Sequence, residues 1–154
     1  MPAMALIDEL LTTRLYAELR DKRGLAYVVN SSFIPRVGPS NIMAFMVTDP
    51  PKHQEARAGI VREFKRLQEE PVGPAELDAA KAAFRGSCIM SMETGIDRGR
   101  TLGIYELGKG DYGYADMILK ASAEVRPKDI QRVAKNYFDH YALAVIAPQG
   151  SIEE

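Results

Sequence analysis

The chain has 154 residues, 46% of them apolar and 27% charged, with a formal net charge of −1. That is one domain's worth of ordinary soluble composition, and so balanced a charge offers no electrostatic hold on nucleic acid or an anionic membrane. The single Cys88 excludes an internal disulfide, no apolar run approaches the ~20 residues that a bilayer crossing needs, and the start lacks the basic-then-apolar pattern of a signal peptide.

In chain order, Leu11, Leu15 and Leu19 recur every fourth residue, one stripe of an amphipathic helix. Arg20, Lys22 and Arg23 bring positive charge to its C-terminal end, where the helix dipole favours cations, and Gly24 supplies a left-handed cap. Leu25 to Val29, apolar with β-branched residues and an aromatic, predicts a strand. Asn30-Ser31-Ser32 and Pro35 to Ser40 then predict a loop. Asn41 to Thr48 is the second strand, antiparallel to the first. In it Ile42, Ala44 and Met46 share one face and Met43, Phe45 and Val47 the other, a pattern that predicts cover on both faces.

Asp49-Pro50 predicts a helix start with a capping carboxylate, and Ala56, Ile60, Phe64 and Leu67 make the buried stripe. Gly73-Pro74 opens a further helix, with Leu77, Ala80, Phe84 and Cys88 at helical spacing. Thr94 and Asp97 resemble a capping box for a helix through Leu107, ended by Gly108-Lys109-Gly110. Tyr112 to Ala121 is a short helix. Pro127 opens the last one, with Val125 and Ile130 as a hydrophobic staple and Ile130, Val133, Ala134, Tyr137 and Phe138 as its inner face. Leu143 to Ile146 predicts a third strand, and Ser151 to Glu154 a frayed tail. Three strands against five or so helices leave a narrow sheet whose edges invite pairing with another segment or chain.

The helix-turn-strand from Arg14 to Tyr27, Arg-Leu-Tyr-x-x-Leu-Arg-x-Lys-x-Gly-Leu-Ala-Tyr, closely resembles the second-half signature of the pitrilysin, insulin-degrading-enzyme and processing-peptidase family of zinc metallopeptidases. The family's paired Arg and Tyr, seven apart, match Arg20 and Tyr27. Weaker matches follow in the right order. Glu76-Leu77-x-x-x-Lys81 is similar to a family helix start, Val125 to Ala134 to its last helix, and Ala144 to Pro148 to its closing strand. Leu10-Leu11-Thr12-Thr13 stands where the family usually has a glycine run. The family's opening strands and helix have no counterpart here. The resemblance therefore implies an α+β fold, a mainly antiparallel sheet covered by helices, with residues 1–150 as the C-terminal part of a peptidase-family domain and 151–154 as a tail. The sheet is expected to be incomplete within this chain.

The family's inverted zinc motif, His-x-x-Glu-His, is missing: neither His53 nor His140 has that neighbourhood. No metal ligand is assigned to this chain. The resemblance implies a clamshell in which zinc belongs to a partner chain or another domain, while Arg20 and Tyr27 reach over a peptide substrate. Tyr27 would stabilise the oxyanion and Arg20 would bind a substrate carbonyl or carboxylate. Neither can generate the nucleophile, which requires a metal-activated water and a carboxylate base, so the chain is expected to be inactive alone.

Other features point to packing or solvent. Cys88, Met90 and Met92 are expected to fill gaps in the core, Arg98 and Arg100 to be solvated, and Gly108 to Asp111 to end a helix rather than cradle phosphate. Asn41 and Thr48 only flank a strand. The alternative reading is a non-catalytic scaffold or assembly subunit of the same fold, with a homodimer through sheet edges as one form. The chain is expected to be soluble, with cytoplasm and periplasm both open.

Overall fold

The computed structural model describes residues 2–36 and 38–151. Its organising element is α1 (Pro2–Leu15), which runs without a break into a π-helical turn, Tyr16–Lys22. Leu6, Ile7, Leu10, Leu11, Leu15 and Leu19 are fully buried along this one rod. A helix that is apolar over more than one face must be covered on more than one side. β1 (Val28–Ile34), α2 (His53–Glu69), α3 (Pro74–Met90), α5 (Tyr114–Ala123) and α6 (Pro127–Tyr137) all pack against α1. Among the described α-helices, α4 (Gly95–Lys109) stands aside, leaning on α5 with no residue of its own buried.

The fold is α+β, mostly helical, with a small antiparallel sheet of β1 and β2 (Asn41–Val47). The register pairs Val28 with Val47 and Ile34 with Asn41. Asn30, Ser31 and Ser32 therefore lie inside β1 and not in a loop. The side chains of Asn30 and Ser31 find partners on α1: Ser31 Oγ donates to Asp8 Oδ1 at 2.5 Å and Thr12 Oγ1 donates to Asn30 Oδ1 at 2.9 Å. These bonds let a run with poor strand propensity remain a strand.

The sheet has only one covered face. Ile42, Ala44 and Met46 pack on the core, whereas Met43, Phe45 and Val47 are exposed. The third expected strand is absent: residues 138–148 form no strand, and Leu143, Val145 and Ile146 are exposed, Ile146 fully. A strand exists only where a neighbour takes its backbone groups, and this segment pairs with no described strand.

The two edges of the sheet differ. Phe33 N donates to Asp8 Oδ2 at 2.9 Å and Ser31 N to Thr12 Oγ1 at 3.3 Å, so α1 closes the outer edge of β1. Amides of Ser31 and Phe33 that point away from β2 make 31↔44 and 33↔42 non-hydrogen-bonded pairs. The backbone groups of Ile42 and Ala44 then point outward along an open β2 edge.

The helices start and stop largely as the residues dictate. Pro74 and Pro127 occupy first turns, Thr94 Oγ1 accepts from Asp97 N at 3.1 Å, and Gly110 takes the left-handed φ of 67° that ends α4. Asp49 departs from expectation: its carboxylate pairs with Lys52 at 3.0 Å instead of capping, and a short 3₁₀ turn, Pro50–Lys52, precedes α2. Tyr137 also departs, lying 66% exposed, while Phe138 meets Phe64 edge-on at 5.0 Å. The short helix α5 begins two residues later than expected, at Tyr114. Of the expected tail, Ile152 to Glu154 lie outside the described residues.

A guanidinium between two phenols

The π-helical turn does more than prolong α1. Leu19 is fully buried, and its side chain fills the space that a Cβ on Gly59 of α2 would take, 2.4 Å from Leu19 Cδ2. Gly59 is therefore a notch that seats the turn. Gly24, at φ +58°, then reverses the chain, with its N–H donating to Arg20 O at 3.0 Å and Leu25 N–H to Leu19 O at 2.8 Å. Only glycine takes that backbone angle freely. Leu25 and Ala26 are buried, and Thr48 Oγ1 donates to Leu25 O at 2.6 Å. Thr48, which the sequence did not single out, thus ties down the strap that carries Tyr27.

On this mount the structure brings Arg20 and Tyr27 together. The Arg20 guanidinium carbon lies 5.6 Å from the Tyr27 ring centre and 4.4 Å from that of Tyr16. Both are within cation–π range. Arg20 Nη1 also donates to Tyr16 Oη. Tyr27 is 83% exposed, just ahead of β1 rather than within it, and its hydroxyl has no hydrogen-bond partner among the described residues.

The charges around Arg20 are distributed unequally. Glu18 takes both neighbouring cations, Lys22 at 3.1 Å and Arg23 at 2.9 Å, and Arg23 also reaches Glu55 of α2 at 3.7 Å. Hydrogen bonds from Lys22 and Arg23 hold the exposed Glu18 carboxyl below its ordinary range. Among the described residues no carboxylate pairs with Arg20. Its charge is held by two aromatic faces that do not neutralise it, and so remains available to an incoming acceptor.

Behind the site, Arg14 is bound bidentately by Glu76 at the start of α3, Nε to Oε1 at 2.6 Å and Nη2 to Oε2 at 2.9 Å. The Arg14 side chain is only 9% exposed. Its guanidinium keeps the Glu76 carboxyl below the usual range. This pair clamps α1 to α3 two residues before the π-helical segment begins.

The remaining candidates separate from this cluster. His53 Nδ1 lies 2.9 Å from the Pro50 carbonyl oxygen, a contact that only the Nδ1–H tautomer satisfies. His140 is exposed beside Asp139 at 3.6 Å. No group of three or more His, Cys, Asp or Glu side chains that could hold a metal occurs among the described residues, so the donor set here does not fit a protein-held zinc. Cys88 is half-buried, and burial together with nearby Glu9 pushes its thiol pKa up, away from reactive thiolate. Met90 is exposed instead of filling the core, Met92 is half-buried, and Arg98 and Arg100 are exposed. Gly108 to Asp111 closes α4.

A concavity of about 1410 Å³ lies elsewhere. It opens between the β2 edge, α2, α6 and the extended segment 139–143, over a floor that includes Ile60, Phe64 and Val133. Neither Arg20 nor Tyr27 lines it. Its lining is more apolar than polar, with Arg57, Lys65 and Arg132 at its rim, and the chemistry-bearing pair is the better candidate site.

Two members of the cluster escaped the sequence reading. Tyr16, four residues before Arg20, had a legible signal in that spacing. Gly59 had only its place inside a helix, because the notch is made by a residue 40 positions earlier in the chain.

The chain and its fold have relatives. The chain is 25% identical over 142 residues to an uncharacterised zinc protease of Mycobacterium tuberculosis, an alignment covering 92% of this chain and 32% of that protein. It is also 25% identical over 143 residues to an uncharacterised zinc protease of Bacillus subtilis, covering 92% and 35%. The chain thus spans about a third of the length of these curated relatives. The crystal structure of a peptidase M16 inactive domain from Pseudomonas fluorescens shares the fold, with a TM-score of 0.76, 24% identity, and coverage of 88% of this chain and 33% of that one. The family model described as the peptidase M16 inactive domain matches residues 2–84, the span that contains α1, the π-helical turn, the sheet, Arg20 and Tyr27. With more than half of its length under that match, this chain belongs to the peptidase M16 family, within the inactive domain.

Proposed function

We propose that this chain supplies the substrate-binding, transition-state-assisting side of a zinc-dependent peptidase site. The observation that carries the reading is a guanidinium with no carboxylate partner among the described residues, set beside an exposed phenol, both on a buried mount. Arg20 meets a carbonyl or carboxylate of an extended peptide through its planar fork of donors. Tyr27 donates to the carbonyl oxygen as that oxygen gains negative charge, an interaction stronger in the transition state than in the ground state. Making the nucleophile takes a metal and a carboxylate base. The reading places both, zinc included, on a separate His-x-x-Glu-His domain or chain, and expects no hydrolysis by this chain alone. The zinc-protease names of the relatives support the reaction class.

A non-catalytic scaffold role is the second reading, favoured by the open β2 edge and its exposed apolar neighbours Met43, Phe45 and Val47. An edge of this kind recruits another strand, from a partner or from a second copy. The two readings part in a fluorogenic-peptide assay of the chain with its zinc-bearing partner. Under the peptidase reading Tyr27→Phe lowers turnover by about 10²–10³-fold with little change in KM. Unchanged turnover would leave the scaffold.

A further inference from the structure

The site as described explains what Arg20 does but not why its long, flexible side chain stays where it is needed. An exposed arginine on a helix end normally samples many rotamers, and ordering it carries an entropic cost. Three observations show how it is held. Tyr16 offers Arg20 both its ring face, at 4.4 Å, and its hydroxyl oxygen as an acceptor for Nη1. Tyr16 and Arg20 lie on the same π-helical turn, a helical variant frequent at functional sites. That turn is fixed from below by Leu19 in the Gly59 notch and from the side by Arg23 on Glu55.

We propose that Tyr16 is a positioning residue for Arg20: its phenol fixes the guanidinium in the orientation from which it takes a peptide carbonyl or carboxylate. The proposal rests on the substrate-binding reading of Arg20. Tyr16 needs no contact with the reacting atoms. It acts as an uncharged acceptor, which orders the guanidinium without the neutralisation that a carboxylate brings. A glutamate at this place would hold Arg20 as firmly and compete with the substrate.

The test is Tyr16→Phe, which keeps the ring and removes only the acceptor, measured in two ways. In the isolated chain, ¹⁵N spectra of the arginine side chains report rotation about the guanidinium Cζ–N bonds. Wild-type Arg20 should show hindered, separately resolved Nη signals that merge in Tyr16→Phe, while the signals of Arg14, held by Glu76, stay as they are. In the assay with the zinc-bearing partner, Tyr16→Phe should raise KM on the order of threefold to tenfold, the worth of one net hydrogen bond, with kcat nearly unchanged. Tyr27→Phe should instead lower kcat. Unchanged Arg20 signals in Tyr16→Phe overturn the proposal, and so does a merged signal with wild-type KM. Arg20→Gln separates the two layers. If Arg20→Gln raises KM and Tyr16→Phe does not, only the positioning role fails. If Arg20→Gln leaves KM untouched, the substrate-binding reading falls and the positioning role with it.

Discussion

Two parts of this molecule place a cation over a tyrosine ring, and only one of them has the makings of a site. On the π-helical turn, Arg20 lies 5.6 Å from the Tyr27 ring centre; on the α4–α5 arm, Lys109 lies 5.8 Å from that of Tyr114. The distances barely differ, but the mounts do. The turn continues a helix whose leucines are fully buried and is seated in a glycine notch. Lys109 sits on α4, a helix with no buried residue, and Ile96, Ile104 and Leu107 along it are exposed. A cation–π contact is worth about 0.5–1 kcal/mol where it is exposed, too little to organise a site unaided. Precision comes from the packing beneath it.

That contrast can be broken or sharpened by experiment. Leu15→Ala, at the junction of α1 and the turn, should destabilise the chain by about 2–5 kcal/mol, read from urea unfolding; a much smaller loss would mean that α1 is not the central support. Tyr27→Phe comes next, with its loss of turnover in the assay with the zinc-bearing partner. Gly59→Ala adds one carbon where Leu19 already stands, and overpacking of this kind costs about 1–3 kcal/mol. Because it moves the turn and alters no side chain of the site, it should also disturb the Arg20 signals; full stability with unaltered signals would remove the notch from the account.

The Arg14–Glu76 clamp sets a pH dependence. The folded-state pKa of Glu76 is lowered from an ordinary value of 4.5, with the hydrogen bond from Arg14 as the main cause. A carboxyl depressed on folding contributes stability that is fully present above its unfolded pKa and is lost as pH falls through the lower, folded value. Unfolding midpoints in urea should therefore drop as the pH is taken from 7 to below 4.5, and Glu76→Gln should flatten that slope. Equal slopes in the two proteins would show that the clamp is not linked to folding. The smallest effect belongs to the arm: Leu107→Ala, at a residue 90% exposed, should change stability by no more than about 0.5 kcal/mol.

Much of this was legible in the residues because the signals are local. The stripe Leu11, Leu15, Leu19, the cap at Gly24, the proline starts at Pro74 and Pro127 and the Thr94 cap all depend on neighbours within a turn or two, and each is present. The seven-residue spacing of Arg20 and Tyr27 across a tight reversal likewise sufficed to bring them to one side. The misreadings share the opposite property. Asn30 and Ser31 look like part of a loop until Asp8 and Thr12 supply partners from α1, and Leu143 to Ile146 look like a strand although they pair with no described strand.

By itself, then, the sequence determined the helices, the reversal, the family and the seven-residue spacing that sets Arg20 beside Tyr27. Tertiary structure decided which strands exist, which edge of the sheet is closed, that Leu19 seats the turn against Gly59 and Tyr16 meets Arg20, and that Glu18 occupies the neighbouring cations while no described carboxylate pairs with Arg20. The division follows from range. Periodicity and capping are satisfied within a few residues of chain, whereas a strand's hydrogen bonds, a notch in a neighbouring helix and the pairing of charges are settled only when distant segments meet.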